Sequence, residues 1–408
     1  MIGQPTATAT ATATAAVTGV GILTPLGDNL ALVAEALAAG RSAVAPLATP
    51  VPCAAARFAD FDATRYANVR GMRIYNRTTR LGICATRLAL ADAGLIDAGL
   101  PPEQLGVVMA GSFGHLDTLI EYDRSLVTNG PSRTNPALMP LAIPSAPGAV
   151  IALSFSAKAC SITLAEGGAS SLDGLGLGAR LVRDGRAAAV VVVAAFGLFD
   201  ELVLSLSRQG QLAPADGFRI FDERSQGMAL GEAAVAFVLE SPAHATARGR
   251  QPLAFVAGQA STFAAGTDGM ETSLARACRQ ALAQAATEPA DLGLVASGAN
   301  GLPSTDGAEA RALLAVLGAA AQKPAITAVK SALGETIDAS GLLAAACALA
   351  TMGGSPAPPI AGLERPALPG LRYLTRPEPV GGGPALVTAT SQTGACSALV
   401  LARNAHAS

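Results

Sequence analysis

The sequence predicts an α/β protein made of two similar halves, in which buried strands alternate with helices that cover the sheets. Three observations carry that expectation. Short apolar runs recur along the chain, separated by stretches with the 3.6-residue period of helices. The order of strands and helices before residue 240 is repeated in outline after residue 253. Half of the 408 residues are hydrophobic and only 14% are charged, enough core for two layered halves.

The same numbers narrow the function classes. A net charge of −2 gives no electrostatic case for nucleic acid or membrane surfaces. No apolar run reaches the roughly 18 residues that span a bilayer. The six cysteines are scattered without a C-x-x-C pair, as in reduced thiols of a cytoplasmic protein. His115, His244 and His406 are too far apart in sequence to suggest a metal pair, so neither metal nor cofactor is expected.

Residues 1–15, rich in Thr and Ala, read as a disordered tail without the features of a signal peptide. Ala16 to Pro25 reads as a strand, followed by a helix through Leu37; Cys53 to Gly71 reads as loop. A helix from Arg77 to Ala93 stops at Gly94, a strand spans Leu105 to Ala110, and a helix spans Leu116 to Tyr122. Ile162 to Ala165 is a strand leading through a small-residue turn into a helix, and Ala187 to Ala195 is the next strand. That helix carries Leu172, Leu175, Ala179 and Val182 on one face. Gly174, Gly176 and Gly178 inside it each cost about 1 kcal/mol relative to Ala. Close packing of other backbone would account for them, which places this helix at the centre of the molecule. Ala233 to Leu239 fits a fully buried strand.

The polar connector Ser241 to Gln251 divides the chain into halves 16–245 and 246–408. In the second half, strands are expected at 253–257, 292–296, 325–329, 385–390 and 397–402. Helices are expected at 273–285, from Asp306, and around 342–350.

The stretch Ser161 to Phe196 resembles the nucleophile segment of β-ketoacyl synthases, the condensing enzymes of fatty acid and polyketide synthesis. The elements Phe221-Asp222, Gly231-Glu232, Asp306-Gly-Ala-Glu309-Ala and Lys330-Ser-Ala-Leu-Gly334 match that family too, and the resemblance covers Ala16 to Arg403. It implies the thiolase fold, two stacked halves in five layers. In the family a reactive Cys lies five positions before the Asp of a G-L-D-like element; here, counting back from Asp173, that position is Gly168. The two histidines implied by the H-G-T-x-T-x-x-x-D and K-S-x-x-G-H elements fall on Gly298 and Glu335. Condensation needs a thiolate and neutral donors to a developing enolate. Two glycines and a carboxylate supply neither. The resemblance also implies that Lys330 and Glu309 lie together beneath the site, as a structural ion pair, with Asp306 retained.

Other candidates are weaker. Ala159-Cys160-Ser161 imitates the family's nucleophile triplet, but its register places Cys160 in the loop before the nucleophile strand. Ser170 and Ser171 are expected to cap the central helix rather than to attack substrate, the one available base being His115. Glu166 is expected to be a strand-end carboxylate bound to backbone N–H groups. The terminal loop reads Thr393-Gly394-Ala395-Cys396 where the family has G-G-T-N.

A condensing-enzyme chain without its reactive set resembles the chain length factor, the ketosynthase-β subunit of type II polyketide synthases. That resemblance implies a heterodimer with a catalytic ketosynthase-α, an acyl carrier protein bearing the growing chain, and a tunnel at the shared interface. Leu116, Leu119 and Ile120 are the candidates for its end wall. The alternatives are a stand-alone acyltransferase or thioesterase-like enzyme using Ser170, Glu166 or Cys160, a malonyl decarboxylase, and a homodimeric carrier protein.

Overall fold

The computed structural model describes residues 15–96, 99–265 and 269–404. The first half contains β1 (Ala15–Leu23), α1 (Leu30–Ala38), β2 (Val44–Leu47), β3 (Cys53–Ala56), α2 (Arg77–Asp92), β4 (Leu105–Ala110), α3 (Leu116–Asn129) and α4 (Ala146–Ser154). It continues with β5 (Cys160–Leu164), α5 (Ser170–Arg183), β6 (Ala189–Phe196), α6 (Asp200–Arg208), β7 (Leu230–Gly231), β8 (Ala233–Glu240) and α7 (Pro242–Ala247). The second half contains β9 (Ala254–Phe263), α8 (Met270–Gln284), β10 (Leu294–Ala296), α9 (Pro303–Leu317) and β11 (Ala325–Thr327). It ends with α10 (Lys330–Leu333), α11 (Ser340–Met352), β12 (Ala385–Thr390) and β13 (Ala395–Ala402).

The large sheet runs β11-β10-β12-β13-β9-β1-β8-β6-β4-β5. It is one five-stranded pattern used twice. β1-β8-β6-β4-β5 and β9-β13-β12-β10-β11 have the same order, joined where Ala15–Val17 of β1 meet Ala254–Val256 of β9. Helices α2 and α4 pack on the outer side of the first half, and α8 on the outer side of the second. Between the halves lie α5 and α11, in contact with each other and with both sets of strands. This is the five-layer thiolase arrangement that the resemblance implied.

The strands form where β-branched and small apolar residues run without interruption. Ala-Val-Val-Val-Val-Ala-Ala-Phe in β6 is buried throughout, as expected of a strand covered on both faces. The three glycines of α5 do mark its central position, although the close neighbours are side chains rather than backbone. A methyl on Gly174 would lie 3.0 Å from Val192, one on Gly178 2.8 Å from Val192, and one on Gly176 2.2 Å from Gln259.

Several boundaries differ from the sequence reading. Cys53 to Gly71 is not all loop, because Cys53–Ala56 pairs with β2 and β7 and is buried. Its run of small residues carries no alternation to betray a strand. β9 continues past Gly258 to Phe263 along β13, α9 begins at Pro303 with proline at its first turn, and α3 extends to Asn129. The connector after β8 folds as α7, and its Arg248 and His244 bind the buried Glu240. The Thr/Ala tail falls outside the described residues except for Ala15, which is a buried residue of β1 rather than tail.

The two outer strands differ. β11 is buried, and its free edge is bridged by the segment around Tyr373: the Ile326 N–H donates to the Arg372 carbonyl (2.9 Å), and the Leu374 N–H to the Ile326 carbonyl (3.0 Å). β5 pairs with β4 alone among the described residues, and Ser161 is exposed on it. In the same half, α3 buries only Thr118, while Val127 is 86% exposed and Leu153 of α4 is 80% exposed.

Candidate functional site

The pseudo-symmetry brings two equivalent turns together at the centre. In the first half, β5 leads through the turn Gly167-Gly168-Ala169 into α5; in the second, Ile337-Asp338-Ala339 leads into α11. Each turn is closed by the same device. Ser170 Oγ accepts from the Glu166 N–H (2.6 Å), and Ser340 Oγ accepts from the Thr336 N–H (3.2 Å). The two serines of α5 therefore do not cap their own helix, whose N-cap is Ala169 and has no side-chain cap. Ser171 Oγ instead accepts from the Leu342 N–H (3.2 Å) in the first turn of α11, tying the two central helices together. Both serines are fully buried.

Gly168 and Gly298 carry no side chain, and the end of β12 has closed over them. A methyl at Gly168 would lie 2.4 Å from the Thr390 carbonyl oxygen, and one at Gly298 2.8 Å from that of Thr388. Gly167, with φ +68°, holds the left-handed conformation that lets the turn pass Ser391, whose Oγ would be 2.5 Å from a methyl there.

The third position, Glu335, is buried at the centre of a polar knot. Its Oε2 accepts from Lys330 Nζ (2.9 Å) and Asn300 Nδ2 (3.1 Å), and its Oε1 from the Ile337 N–H (2.8 Å) and Ser340 Oγ (2.5 Å). Burial works against its ionisation, but Lys330, Ser340 and Asn300 outweigh burial and hold the carboxyl below its usual range. Lys330 Nζ also donates to the Gly298 carbonyl at 2.7 Å. Gly168 and Glu335 line the same cavity, and Lys330 joins Glu335 to the Gly298 carbonyl.

The expected pairing of Lys330 with Glu309 is corrected. Lys330 pairs with Glu335. Glu309 Oε1 accepts from Ser297 Oγ (2.7 Å), the Gly298 N–H (3.0 Å) and Thr388 Oγ1 (2.6 Å), so it serves the loop. Asp306 clamps the same loop by accepting from the Asn300, Gly301 and Phe221 N–H groups at 2.9, 3.1 and 2.9 Å. Burial pushes its carboxyl up to about 7 against those bonds, with Glu309 adding to the rise.

Around the turns remains a cavity of about 320 Å³. Phe113, Leu202, Leu206, Met228 and Ile337 form its apolar side, and Asn300, Glu335, Ser391 and Thr393 its polar side. Among the described residues, no cysteine and no histidine lines it. Leu116, Leu119 and Ile120 do not line it either; they lie half-buried on α3.

Glu166 lines the cavity, exposed and beside the Asp173 carboxyl, and among the described residues no backbone N–H donates to its side chain. A proton shared with Asp173, then burial and the charge of Asp173, lifts its carboxyl to about 7. Cys160 opens β5 at the end away from the turn, so it is a strand residue and not a loop residue; burial raises its thiol. His115 is 6% exposed with Nδ1 unpartnered, and burial lowers its pKa despite Asp117. None of the proposed nucleophiles meets a base.

Two residues escaped sequence reasoning. Asn300 stands two positions after Gly298 in an unremarkable Ala-Asn-Gly loop, and only the fold turns its amide onto Glu335. Asp338, fully buried, accepts from the Phe113 N–H at 3.1 Å across 225 residues of sequence. A polar residue just before a strongly apolar helix was the available signal. Among the described residues there is no cluster of three metal-ligating side chains, and no helix is long and apolar enough to cross a membrane.

Comparison with known proteins agrees with this arrangement. Residues 13–245 match the β-ketoacyl synthase N-terminal domain, and residues 253–364 match the β-ketoacyl synthase C-terminal domain. The chain is 31% identical to the tetracenomycin polyketide synthase ketoacyl synthase alpha subunit of Streptomyces glaucescens, over 86% of this chain and 87% of that protein. It is also 31% identical to the actinorhodin polyketide putative beta-ketoacyl synthase 2 of Streptomyces coelicolor, over 95% and 98%. Among solved structures, the ishigamide ketosynthase/chain length factor superposes with a TM-score of 0.87 at 24% identity, covering 97% of this chain and 100% of that one. The layers, the paired turns and both matched domains together make this chain a member of the β-ketoacyl synthase family, related to the ketosynthase subunits of type II polyketide synthases.

Proposed function

We propose that this chain is a non-catalytic ketosynthase-like subunit, a chain length factor, that pairs with a catalytic ketosynthase and shapes the tunnel in which an acyl-carrier-protein-bound chain grows. The observation that carries this reading is the state of the three reactive positions: main chain packs where a cysteine and a histidine would project, and an ion-paired carboxylate stands at the third. A carboxylate held by Lys330 cannot donate to an enolate oxygen, and no thiol lines the cavity.

The open edge of β5 and the uncovered faces of α3 and α4 support the partner. Unpaired strand edges are templates for another chain, and natural proteins cover or charge them. β5, Cys-Ser-Ile-Thr-Leu, carries neither proline nor charge. The name of a similar structure, the ishigamide ketosynthase/chain length factor, describes such an assembly, and another, 21% identical with TM-score 0.84, is a type II acyl-carrier protein in complex with its ketosynthase. All six cysteines are free thiols, which supports a cytoplasmic site of action.

The test is direct. The purified chain, incubated alone with acyl-carrier-protein thioesters, is expected to show no covalent adduct by intact mass and no turnover. Acylation or elongation would overturn the reading in favour of a stand-alone acyltransferase. Supplying the catalytic partner, a ketosynthase with Cys and both His intact, is expected to give a stable complex and defined products. With that partner, Leu119→Ala is expected to lengthen the product; an unchanged product would remove α3 from the tunnel wall.

A further inference from the structure

The segment Ser112–Phe113 joins three parts of the molecule. It follows β4, supplies Phe113 to the apolar side of the cavity, and leads directly into α3. Two hydrogen bonds hold it from opposite halves: Ser112 Oγ accepts from the Gly167 N–H (2.8 Å), and Phe113 donates its N–H to Asp338 Oδ2 (3.1 Å). Asp338 is 0% exposed, and its Oδ1 has no partner. A buried carboxylate with a free oxygen costs folding free energy unless the structure uses it. The turn beside it holds a second costly feature, Ile337 at φ +41°, a β-branched residue in the left-handed region. The Glu335 carboxylate holds that conformation by accepting the Ile337 N–H at 2.8 Å. Two unfavourable arrangements in one turn, one of them bonded to the neighbouring segment, point to a placement that matters.

We propose that Asp338 is a positioning residue: its buried carboxylate fixes the Ser112–Phe113 segment, and thereby where α3 begins and how far Leu116, Leu119 and Ile120 reach. The consequence for product length rests on the chain-length reading above; the positioning itself does not. Burial raises the Asp338 carboxyl to about 6, opposed by the Phe113 N–H bonded to it and by the nearby Ser112 amide and hydroxyl. The charged group facing it is Glu335, itself tied to Lys330. Because an ionised acceptor binds an N–H more strongly than a neutral one, the hold on Phe113 tightens above that pH and relaxes below it.

Amide hydrogen exchange on the isolated chain tests this. Asp338→Ala is expected to speed exchange of the Phe113–Ile120 amides by roughly tenfold, the loss of a hydrogen bond to a charged acceptor, while β6 and α11 keep their protection. Asp338→Asn keeps a neutral acceptor in place and is expected to restore protection in part, to about the level wild type shows at pH 5. In wild type, the protection factor of the Phe113 amide should fall as pH drops from 7 to 5; in the Asn variant it should stay level. Wild-type protection in Asp338→Ala, uniform loosening of the whole chain, or a level wild-type pH profile would each overturn the proposal. The wild-type profile needs no variant to fold. In the assembled synthase, a product-length shift with Ala but not Asn extends the role to the tunnel. If exchange responds and lengths do not, the tunnel-wall reading fails while the positioning role stands.

Discussion

β5 and β11 occupy the same place in the two halves, each the outermost strand of an identical five-strand order, and only one of them is finished. β11 has its outer edge bonded by the segment at Tyr373, and Ala325–Thr327 are buried. Among the described residues β5 has no such strap, and its residues are half-buried or exposed. A duplicated fold has thus closed one end with its own chain and left the other edge unpaired among the described residues. The difference teaches that topology alone does not decide where a protein ends. The added segment does.

The largest effect should come from breaking the closed edge. Leu374, 3% exposed, holds the strap to β11, and Leu374→Ala is expected to cost about 2–5 kcal/mol in urea unfolding. If the chain is indifferent to it, the strap is decoration. At the open edge, Ile162→Lys is expected to leave the isolated chain within about 1 kcal/mol of wild type. It should weaken assembly with the catalytic subunit by roughly hundredfold or more, because a lysine buried without a counter-charge costs several kcal/mol. Equal effects at both edges would erase the comparison.

The two central turns offer a finer test. Gly168→Cys forces a side chain against the Thr390 carbonyl and is expected to cost about 1–3 kcal/mol by overpacking. The same chain should resist acylation; a stable, acylated variant would show that the turn has kept its room. Asp338, at the corresponding point of the other turn, is where the fold already accepts a side chain.

The smallest effect concerns Glu166. Its carboxyl is raised to about 7 in the fold, so the folded chain binds a proton that the unfolded chain has released. Its contribution favours folding below the ordinary carboxylate range and is lost as pH rises toward 7. Glu166→Gln is expected to flatten that part of the stability profile, by less than about 1 kcal/mol because the group is exposed and screened. A wild-type profile flat from pH 4 to 7 would contradict it.

Periodicity and small apolar runs were enough to place both halves, their strand order being the repeat of one pattern. Gly168, Gly298 and Glu335 came from the family resemblance instead, each counted from a neighbouring motif. Partners were harder to read than positions. Lys330 meets Glu335, five residues away, rather than Glu309, because α10 is a single turn that bends back at Gly334, φ +72°. Ser171 reaches α11 rather than its own helix because the two central helices touch, a fact that no local signal carries. Glu166 finds Asp173 because the turn doubles the chain back, which puts two like groups seven residues apart side by side. In each case the chain's local pattern named the residue, and a contact set by the whole fold chose its companion.

The carbonyls of Thr388 and Thr390 lean over two glycines that have nothing to resist them. Once main chain has settled into such a space, a single codon change cannot reopen it: the newcomer side chain meets a strand that must retreat first. On the non-catalytic reading proposed above, this packing works as a ratchet: a side chain at either glycine could serve in chemistry only after the end of β12 had moved aside.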